Sequence, residues 1–185
     1  MTKPRILSTS ILAESQLFRI ETIDLGFSNG DKATFECVRT QGNGVAMVAV
    51  ITAERELLMV REYAACADRY ELGFVKGKID PGESALDTAS RELIEEVGYR
   101  AQKISLLRTV TMSPAYNDLI THLFIASELS PGEATGDEIE PLEQFRWPLD
   151  QIDGLFGHPE VTDARVLMLL GLIERNRANL NDYPQ

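Results

Sequence analysis

Cysteines, basic residues and long apolar runs are all scarce in this chain of 185 residues. Its two cysteines, Cys37 and Cys66, stand apart from each other without the spacing of a zinc or redox site, which predicts reduced thiols in a cytoplasmic protein. No apolar run is long enough to cross a bilayer. The first nine residues lack the charged and then apolar pattern of a signal peptide. We therefore expect neither secretion nor membrane insertion.

Positive charge is also in short supply, because 18 Lys and Arg face 29 Asp and Glu, for a net charge of −11. A protein that binds nucleic acid needs a basic surface to neutralise phosphates, so the composition argues against a nucleic-acid partner. Acidity alone keeps a protein in solution. Alternatively, some of the carboxylates are clustered to hold cations. A phosphate-binding P-loop and the Gly-x-Ser-x-Gly motif of serine hydrolases are both absent from the sequence.

The order of the predicted elements indicates an α/β fold with a mixed sheet between helices. Asn29-Gly30 lies between two segments of alternating polarity, residues 17–25 and 32–38, which is typical of a β-hairpin. Residues 1–44 are predicted to form a β-appendage, and residues 45–185 the main domain. Further strands are predicted at 45–51, 57–60, 71–75, 104–111, 119–127 and 144–148, an acidic loop at 128–143, and helices at 84–97 and from a cap at Thr162 through Ile173.

Residues 77–99 predict a turn, a helix and a helix stop in direct succession. Asp80-Pro81-Gly82 favours a tight turn, and Gly98 is expected to end the helix. One narrow apolar stripe is predicted along the helix, made by Leu86, Ala89, Leu93 and Val97.

Carboxylates are concentrated beside this stripe. Glu92 and Glu96 are four residues apart, so they repel each other on one side of the helix, and Glu83 and Glu95 add to the repulsion. Arg91 relieves only part of it. Carboxylate oxygens are the ligands that Mg²⁺ prefers, usually shared with substrate phosphates. The alternative is a solvated acidic face, which is what most charge runs are.

The same segment resembles the Nudix box at each defined position: glycine, five residues, glutamate, seven residues, Arg-Glu, an aliphatic residue, any residue, Glu-Glu, any residue, glycine and an apolar residue. Similarity to the ADP-ribose pyrophosphatase branch of the Nudix family extends to residues 61–63, 70–77, 112–116, 136–141 and 146–149. This resemblance implies an α/β/α Nudix sandwich with an N-terminal β-appendage. It also implies a homodimer in which the appendage helps to build a shared active site.

The resemblance assigns roles to the residues of the box. Glu92 and Glu96 match the metal ligands, and the backbone carbonyl of Lys76 or Gly77 completes the site. Glu95 matches a position that binds or assists the metal, and Arg91 matches the arginine that orients the glutamates. Two or three Mg²⁺ ions are implied, with Mn²⁺ as a possible substitute.

Outside the box, the resemblance places the general base on a late loop, where Glu138 matches the base and Glu140 an additional metal ligand. Two alternatives stay open. The loop could be merely solvated, or the base could be one of the neighbouring carboxylates, Asp137 or Glu143.

Substrate contacts are implied at three places. Arg61 resembles an arginine that contacts phosphate or the terminal sugar, with a surface salt bridge as the alternative. Ser113 and Pro114 match a substrate loop that often comes from the partner subunit. Tyr116 is placed to stack on a base or ribose, or else is a partly buried loop aromatic.

The implied reaction is Mg²⁺-dependent hydrolysis of the pyrophosphate bond of ADP-linked compounds such as ADP-ribose, NADH and diadenosine triphosphate. It releases AMP and a phosphorylated product. The alternatives are a nucleotide-sugar pyrophosphatase that acts on ADP-sugars or GDP-sugars, or a non-catalytic Nudix module that binds nucleotide as a sensor. Such sensors usually have a degraded box, and residues 91–96 are intact.

Overall fold

The computed structural model describes residues 2–40, 42–132 and 142–176, and these contain ten strands, three α-helices and one 3₁₀ turn, at Leu149–Gln151. The strands are β1 (Arg5–Glu14), β2 (Phe18–Gly26), β3 (Lys32–Thr40), β4 (Val45–Ile51), β5 (Glu56–Ala64), β6 (Arg69–Gly73), β7 (Val75–Lys78), β8 (Tyr99–Thr111), β9 (Ile120–Pro131) and β10 (Glu143–Pro148); the helices are α1 (Ala85–Val97), α2 (Asp153–Phe156) and α3 (Ala164–Arg175).

Two sheets organise the chain. Strands β1, β2 and β3 form an antiparallel sheet, called here the N-terminal sheet. The larger sheet has the order β10-β5-β4-β9-β8, with β6 paired to β5 and β7 paired to β4. Strands β4 and β9 run parallel while the other pairs are antiparallel, so this sheet is mixed, as predicted. None of the described helices is both long and apolar enough to span a membrane.

Strand β4 shows why the large sheet is covered on both faces. Its residues from Ala46 to Val50 are all apolar and fully buried, as expected for a strand that packs on both sides. Side chains alternate along a strand: Val48 joins the cluster that contains Leu93 of α1, whereas Met47 joins the cluster that contains Leu169 of α3. The predicted α/β/α sandwich is confirmed.

The predicted hairpin is present as β2 and β3. Its turn is closed by the amide of Phe27, which donates to the carbonyl of Asp31 at 2.9 Å, and Gly30 takes a φ of 90°, which glycine adopts without strain. Strand β1 was not predicted. All ten of its side chains are exposed, so no buried face imposes an alternation on its sequence, and its pairing with β2 holds it in place.

Several predicted boundaries are corrected. The strand expected at 71–75 is divided into β6 and β7 on either side of Phe74, and β8 begins five residues earlier than expected. The predicted acidic loop starts too early, since β9 continues to Pro131. The cap of α3 is Asp163, whose carboxylate accepts from the amide of Arg165, while the hydroxyl of Thr162 donates to Glu71 at 2.7 Å.

Candidate active site

Helix α1 begins and ends as its sequence predicts. The amide of Glu83 donates to the carbonyl of Asp80 at 3.0 Å, closing the turn, and the hydroxyl of Ser84 accepts from the amide of Asp87 at the N-cap. Gly98 has the left-handed φ of 72° that ends many helices. One part of the stripe was wrong, because Leu86 is 47% exposed.

Arg91 contacts three glutamates at once. Its guanidinium donates to Glu83 at 3.0 and 3.1 Å, to Glu92 at 2.7 Å and to Glu95 at 2.7 Å. The hydrogen bonds that Glu83 accepts from Arg91 and from Thr88 lower the pKa of Glu83 from 4.5 to about 2. A single cation therefore fixes the carboxylates on one side of the helix.

Glu92 and Glu96 are in a different environment from Glu83. Glu92 is only 9% exposed, and burial raises the pKa of its carboxyl even though Arg91 is adjacent. Burial also raises the pKa of Glu96 to about 8, against the opposing charge of Lys76. Removing a carboxylate from water without enough compensating charge disfavours the ionised form. The two carboxylates are therefore short of positive charge.

Strand β7 brings backbone atoms close to these carboxylates. The amide of Lys76 lies 3.4 Å from Oε2 of Glu96. A Cβ atom added to Gly77 would lie 1.7 Å from Oε1 of Glu92, so only glycine leaves room for that carboxylate. The ammonium of Lys76 also pairs with Glu62, a residue that the sequence did not single out.

This arrangement suits a divalent cation. Glu92 and Glu96 offer hard carboxylate oxygens beside the backbone of β7, and such oxygens suit Mg²⁺ and similar ions. Within the described ranges, no three His, Cys, Asp or Glu side chains are grouped to hold an ion. The two carboxylates would therefore share an ion with backbone, water or substrate oxygens.

Arg61 is engaged in ion pairs. It donates to both oxygens of Glu160 at 2.8–3.2 Å, reaches Glu143 at 3.4 Å, and lies 4.4 Å from the ring centre of Tyr70. The salt-bridge alternative therefore describes this structure. Glu160 is 99 positions away in the sequence, and no local pattern could have identified it.

The loop that contains Ser113 and Pro114 is joined to the N-terminal sheet. The amide of Val38 in β3 donates to the carbonyl of Tyr116 at 2.7 Å, and the amide of Thr40 donates to the carboxylate of Asp118 at 2.9 Å. The side chain of Tyr116 is 72% exposed, so the partly buried alternative is wrong. Sequence analysis missed Asp118, which carries this connection.

Four carboxylates were predicted on the late loop. Asp137, Glu138 and Glu140 lie outside the described residues. The fourth, Glu143, is the first residue of β10 and pairs with Arg61.

Comparison with known proteins agrees with this geometry. The NUDIX domain family matches residues 41–167, and the NudE-type Nudix hydrolase N-terminal domain family matches residues 4–36. The chain is 40% identical to the ADP compounds hydrolase NudE of Escherichia coli over 94% of this chain and 92% of that protein. It is 32% identical to the ADP-ribose pyrophosphatase of Bacillus subtilis over 93% and 96% of the two chains.

A solved structure extends the comparison to three dimensions. The crystal structure of an ADP compounds hydrolase superimposes with a TM-score of 0.87 at 38% identity, covering 97% of each chain. Nudix hydrolases generally use divalent metal ions, in keeping with the donor set on α1 and β7. By sequence, fold and the geometry of its box, the chain belongs to the Nudix hydrolase family.

Proposed function

We propose that this enzyme hydrolyses the pyrophosphate bond of ADP-linked compounds, with ADP-ribose, NADH and diadenosine triphosphate as substrates, and releases AMP and a second phosphorylated product. The observation that carries the proposal is a pair of undercompensated carboxylates beside the backbone of β7, the buried Glu92 and the half-buried Glu96. The preference for ADP compounds is supported by two relatives with such names that match more than nine-tenths of this chain.

Glu92, Glu96 and the backbone oxygen of Lys76 or Gly77 would hold Mg²⁺, as two or three ions, with Mn²⁺ as a substitute. Bound there, the metal supplies positive charge for the pyrophosphate and lowers the pKa of a water. Arg91 holds Glu92 and Glu95 by hydrogen bonds of 2.7 Å each. It thus orients the metal-binding side of α1, while Glu95 assists the metal.

Proton transfer is assigned to the loop after β9. Glu138 accepts the proton of the attacking water, and Glu140 is an additional metal ligand. Support for this assignment comes from the family resemblance of residues 136–141. Glu-to-Gln variants at the two positions test it, because loss of the base changes the pH–rate profile as well as the rate.

Substrate would be bound on the side of Arg61 and the loop after β8. Arg61 exchanges Glu160 for a phosphate or sugar oxygen, and the exposed ring of Tyr116 is available to stack on a base or ribose. Ser113 and Pro114 lie in the same loop and would contact the substrate there. The hydrogen bonds from β3 to Tyr116 and Asp118 keep the loop beside the N-terminal sheet.

The N-terminal sheet is proposed to form the homodimer. Residues 1–44 would be the appendage for dimerisation and substrate contact, and residues 45–185 the hydrolase domain, in a cytoplasmic enzyme. Large exposed apolar patches on a protein mark interaction surfaces. Nine large apolar side chains on or beside this sheet are each at least 36% exposed: Ile6, Leu7, Ile11, Leu12, Leu17, Phe18, Ile20, Phe27 and Phe35.

The proposal is tested by incubating the purified protein with ADP-ribose, NADH and diadenosine triphosphate in Mg²⁺, and following AMP by chromatography. We expect AMP release that stops when EDTA is added and returns with Mg²⁺ or Mn²⁺. ADP-glucose and GDP-mannose in the same panel test the nucleotide-sugar alternative. If none of the three ADP compounds is hydrolysed with metal present, the proposed activity is refuted.

A further inference from the structure

A cavity of about 570 Å³ opens at the end of β4 that β7 does not reach. It is lined by the turn after β4, the first part of β8 and the last part of β9. Ile51, which lines the cavity, lies four residues beyond Met47, the residue of β4 that pairs with Lys76. Four strand residues span about 13 Å, so the cavity is separated by about that distance from the backbone of the candidate metal site. The volume is within the range of about 300–1,000 Å³ typical of small-molecule sites.

The lining of this cavity has an excess of cations in a strongly acidic protein. Three basic side chains, Arg55, Lys103 and Arg146, face two carboxylates, Glu54 and Glu128, although the chain as a whole has a net charge of −11. A concave surface that concentrates one sign of charge attracts ligands of the opposite sign. The cavity therefore favours an anion.

These cations are free or only loosely held. No described residue forms an ion pair or hydrogen bond with the guanidinium of Arg55. Lys103 pairs with Glu128 at 2.7 Å, but the two side chains are 44% and 48% exposed, and exposed pairs contribute little stability. Arg146 pairs with Glu56 at 3.4 Å and with Glu54 at 3.7 Å, and its own side chain is 46% exposed. An incoming anion can replace such partners at small cost.

The backbone at the rim has an uncommon conformation. Arg55 has a φ of 60° and Glu128 a φ of 57°, and these are two of the three non-glycine residues with positive φ in the described part of the chain. Residues other than glycine rarely adopt this region, and where they do, they cluster at ligand sites. Both charged residues at the rim are thus held in conformations that the surrounding fold imposes.

The lining of the cavity also includes apolar and aromatic side chains. Ile51, Ile125 and Leu149 form part of the lining together with the ring of Tyr99. The hydroxyl of Tyr99 accepts from Arg146 at 3.3 Å, which places a cation beside an aromatic ring. Phosphate binds cationic side chains, and a base packs on apolar and aromatic surfaces.

We propose that this cavity is a second binding site, which takes a nucleoside monophosphate. Its phosphate is held by Arg55, Lys103 and Arg146, and its base lies against Tyr99 and the apolar lining. The site uses no residue assigned to metal binding or hydrolysis, so it stands whether or not the proposed hydrolysis is correct.

The test measures AMP binding to the full chain in the presence of EDTA by isothermal titration calorimetry. Without divalent metal, the site on α1 lacks the positive charge needed to hold a phosphate, so AMP is expected to bind in the cavity alone. The Arg55→Gln and Lys103→Gln variants should each weaken binding about tenfold, because each loses a hydrogen bond between charged groups. Arg108→Gln, which removes an exposed cation of β8 outside the cavity, should bind as the wild type does, and so should Glu96→Gln.

Three results would overturn the site. They are no AMP binding at millimolar concentration, equal binding by the wild type and Arg55→Gln, or loss of binding in Glu96→Gln. Inorganic phosphate is expected to bind at least tenfold more weakly than AMP, since it makes no contact with Tyr99 or the apolar lining. Equal affinity for the two would reject a nucleoside ligand.

Discussion

Helix α1 and the N-terminal sheet place apolar side chains of similar size in opposite environments. Leu93 on α1 is fully buried against the large sheet, whereas Ile11 on β1 is 55% exposed. Arg91 on the helix pairs with three glutamates of its own chain, and the positive charge still missing at Glu92 and Glu96 is what a metal would supply. The difference is that α1 packs its apolar side on its own chain, while the N-terminal sheet leaves apolar side chains exposed, and this exposed surface is the one that the proposed dimer would cover.

The largest expected effect comes from removing one carboxylate of the α1 pair. Glu96→Gln should lower kcat for ADP-ribose by at least about a hundredfold, the usual loss when one group that stabilises developing charge is removed. Far-UV circular dichroism should be unchanged, because glutamine fits the same space. The matched control is Asp153→Asn, an exposed carboxylate at the start of α2, which should keep normal turnover. Normal activity of Glu96→Gln would remove Glu96 from the metal site.

A second prediction compares truncations in the two regions. Leu93→Ala should lower the free energy of unfolding by about 2–5 kcal/mol, because it leaves a cavity in a packed core. Ile11→Ala should change the stability of the monomer by less than about 0.5 kcal/mol and weaken dimerisation instead. Urea unfolding at low protein concentration measures the first quantity, and sedimentation equilibrium the second. A monomeric wild-type protein, or an unchanged dimer in Ile11→Ala, would contradict the proposed role of the sheet.

What the sequence predicts well is local. The turn before α1, its stop at Gly98 and the hairpin at Asn29-Gly30 each depend on a few neighbouring residues, and the box is a fixed spacing within residues 77–99, so the spacing carries the information. Strand β1 escaped prediction because it has no buried face. The partners of Arg61 and Thr40 escaped because 99 and 78 positions separate them from Glu160 and Asp118. Such contacts exist only once the fold brings the segments together.

The connection between the N-terminal sheet and the loop after β8 gives the third prediction. Asp118 accepts from the amide and the hydroxyl of Thr40 and pairs with Arg39. Asp118→Ala should therefore speed hydrogen exchange at the amide of Thr40 by about tenfold, since a lost hydrogen bond to a charged group costs about 1.5–3 kcal/mol, partly offset here by solvent. Amides of α1 serve as the internal control and should not change. Equal protection of Thr40 in both proteins would show that the sheet is held by other contacts.

The smallest expected effect is a difference between two carboxyl groups, one whose pKa is lowered by a charged donor and one whose pKa is lowered by neutral donors. The pKa of Glu83 is lowered from 4.5 to about 2, chiefly by the guanidinium of Arg91. In the N-terminal sheet, the hydroxyls of Ser8 and Thr34 lower the pKa of Asp24 below 3.8. A carboxyl whose pKa is lower in the folded state stabilises the fold fully above its unfolded pKa and loses that contribution as the pH falls through the folded value.

Carboxyl carbon chemical shifts, followed by NMR from pH 7 to pH 2, should show these two groups titrating differently. Glu83 should stay ionised until about pH 2, and Arg91→Gln should return its midpoint toward 4.5, because the charged donor is gone. Thr34→Val should raise the midpoint of Asp24 by a smaller amount, because it removes only one neutral donor and leaves Ser8 in place. High salt should shift Glu83 in the wild type more than Asp24, since screening acts on the ionic partner. A Glu83 midpoint that ignores both Arg91→Gln and salt would mean that Arg91 does not control this carboxylate.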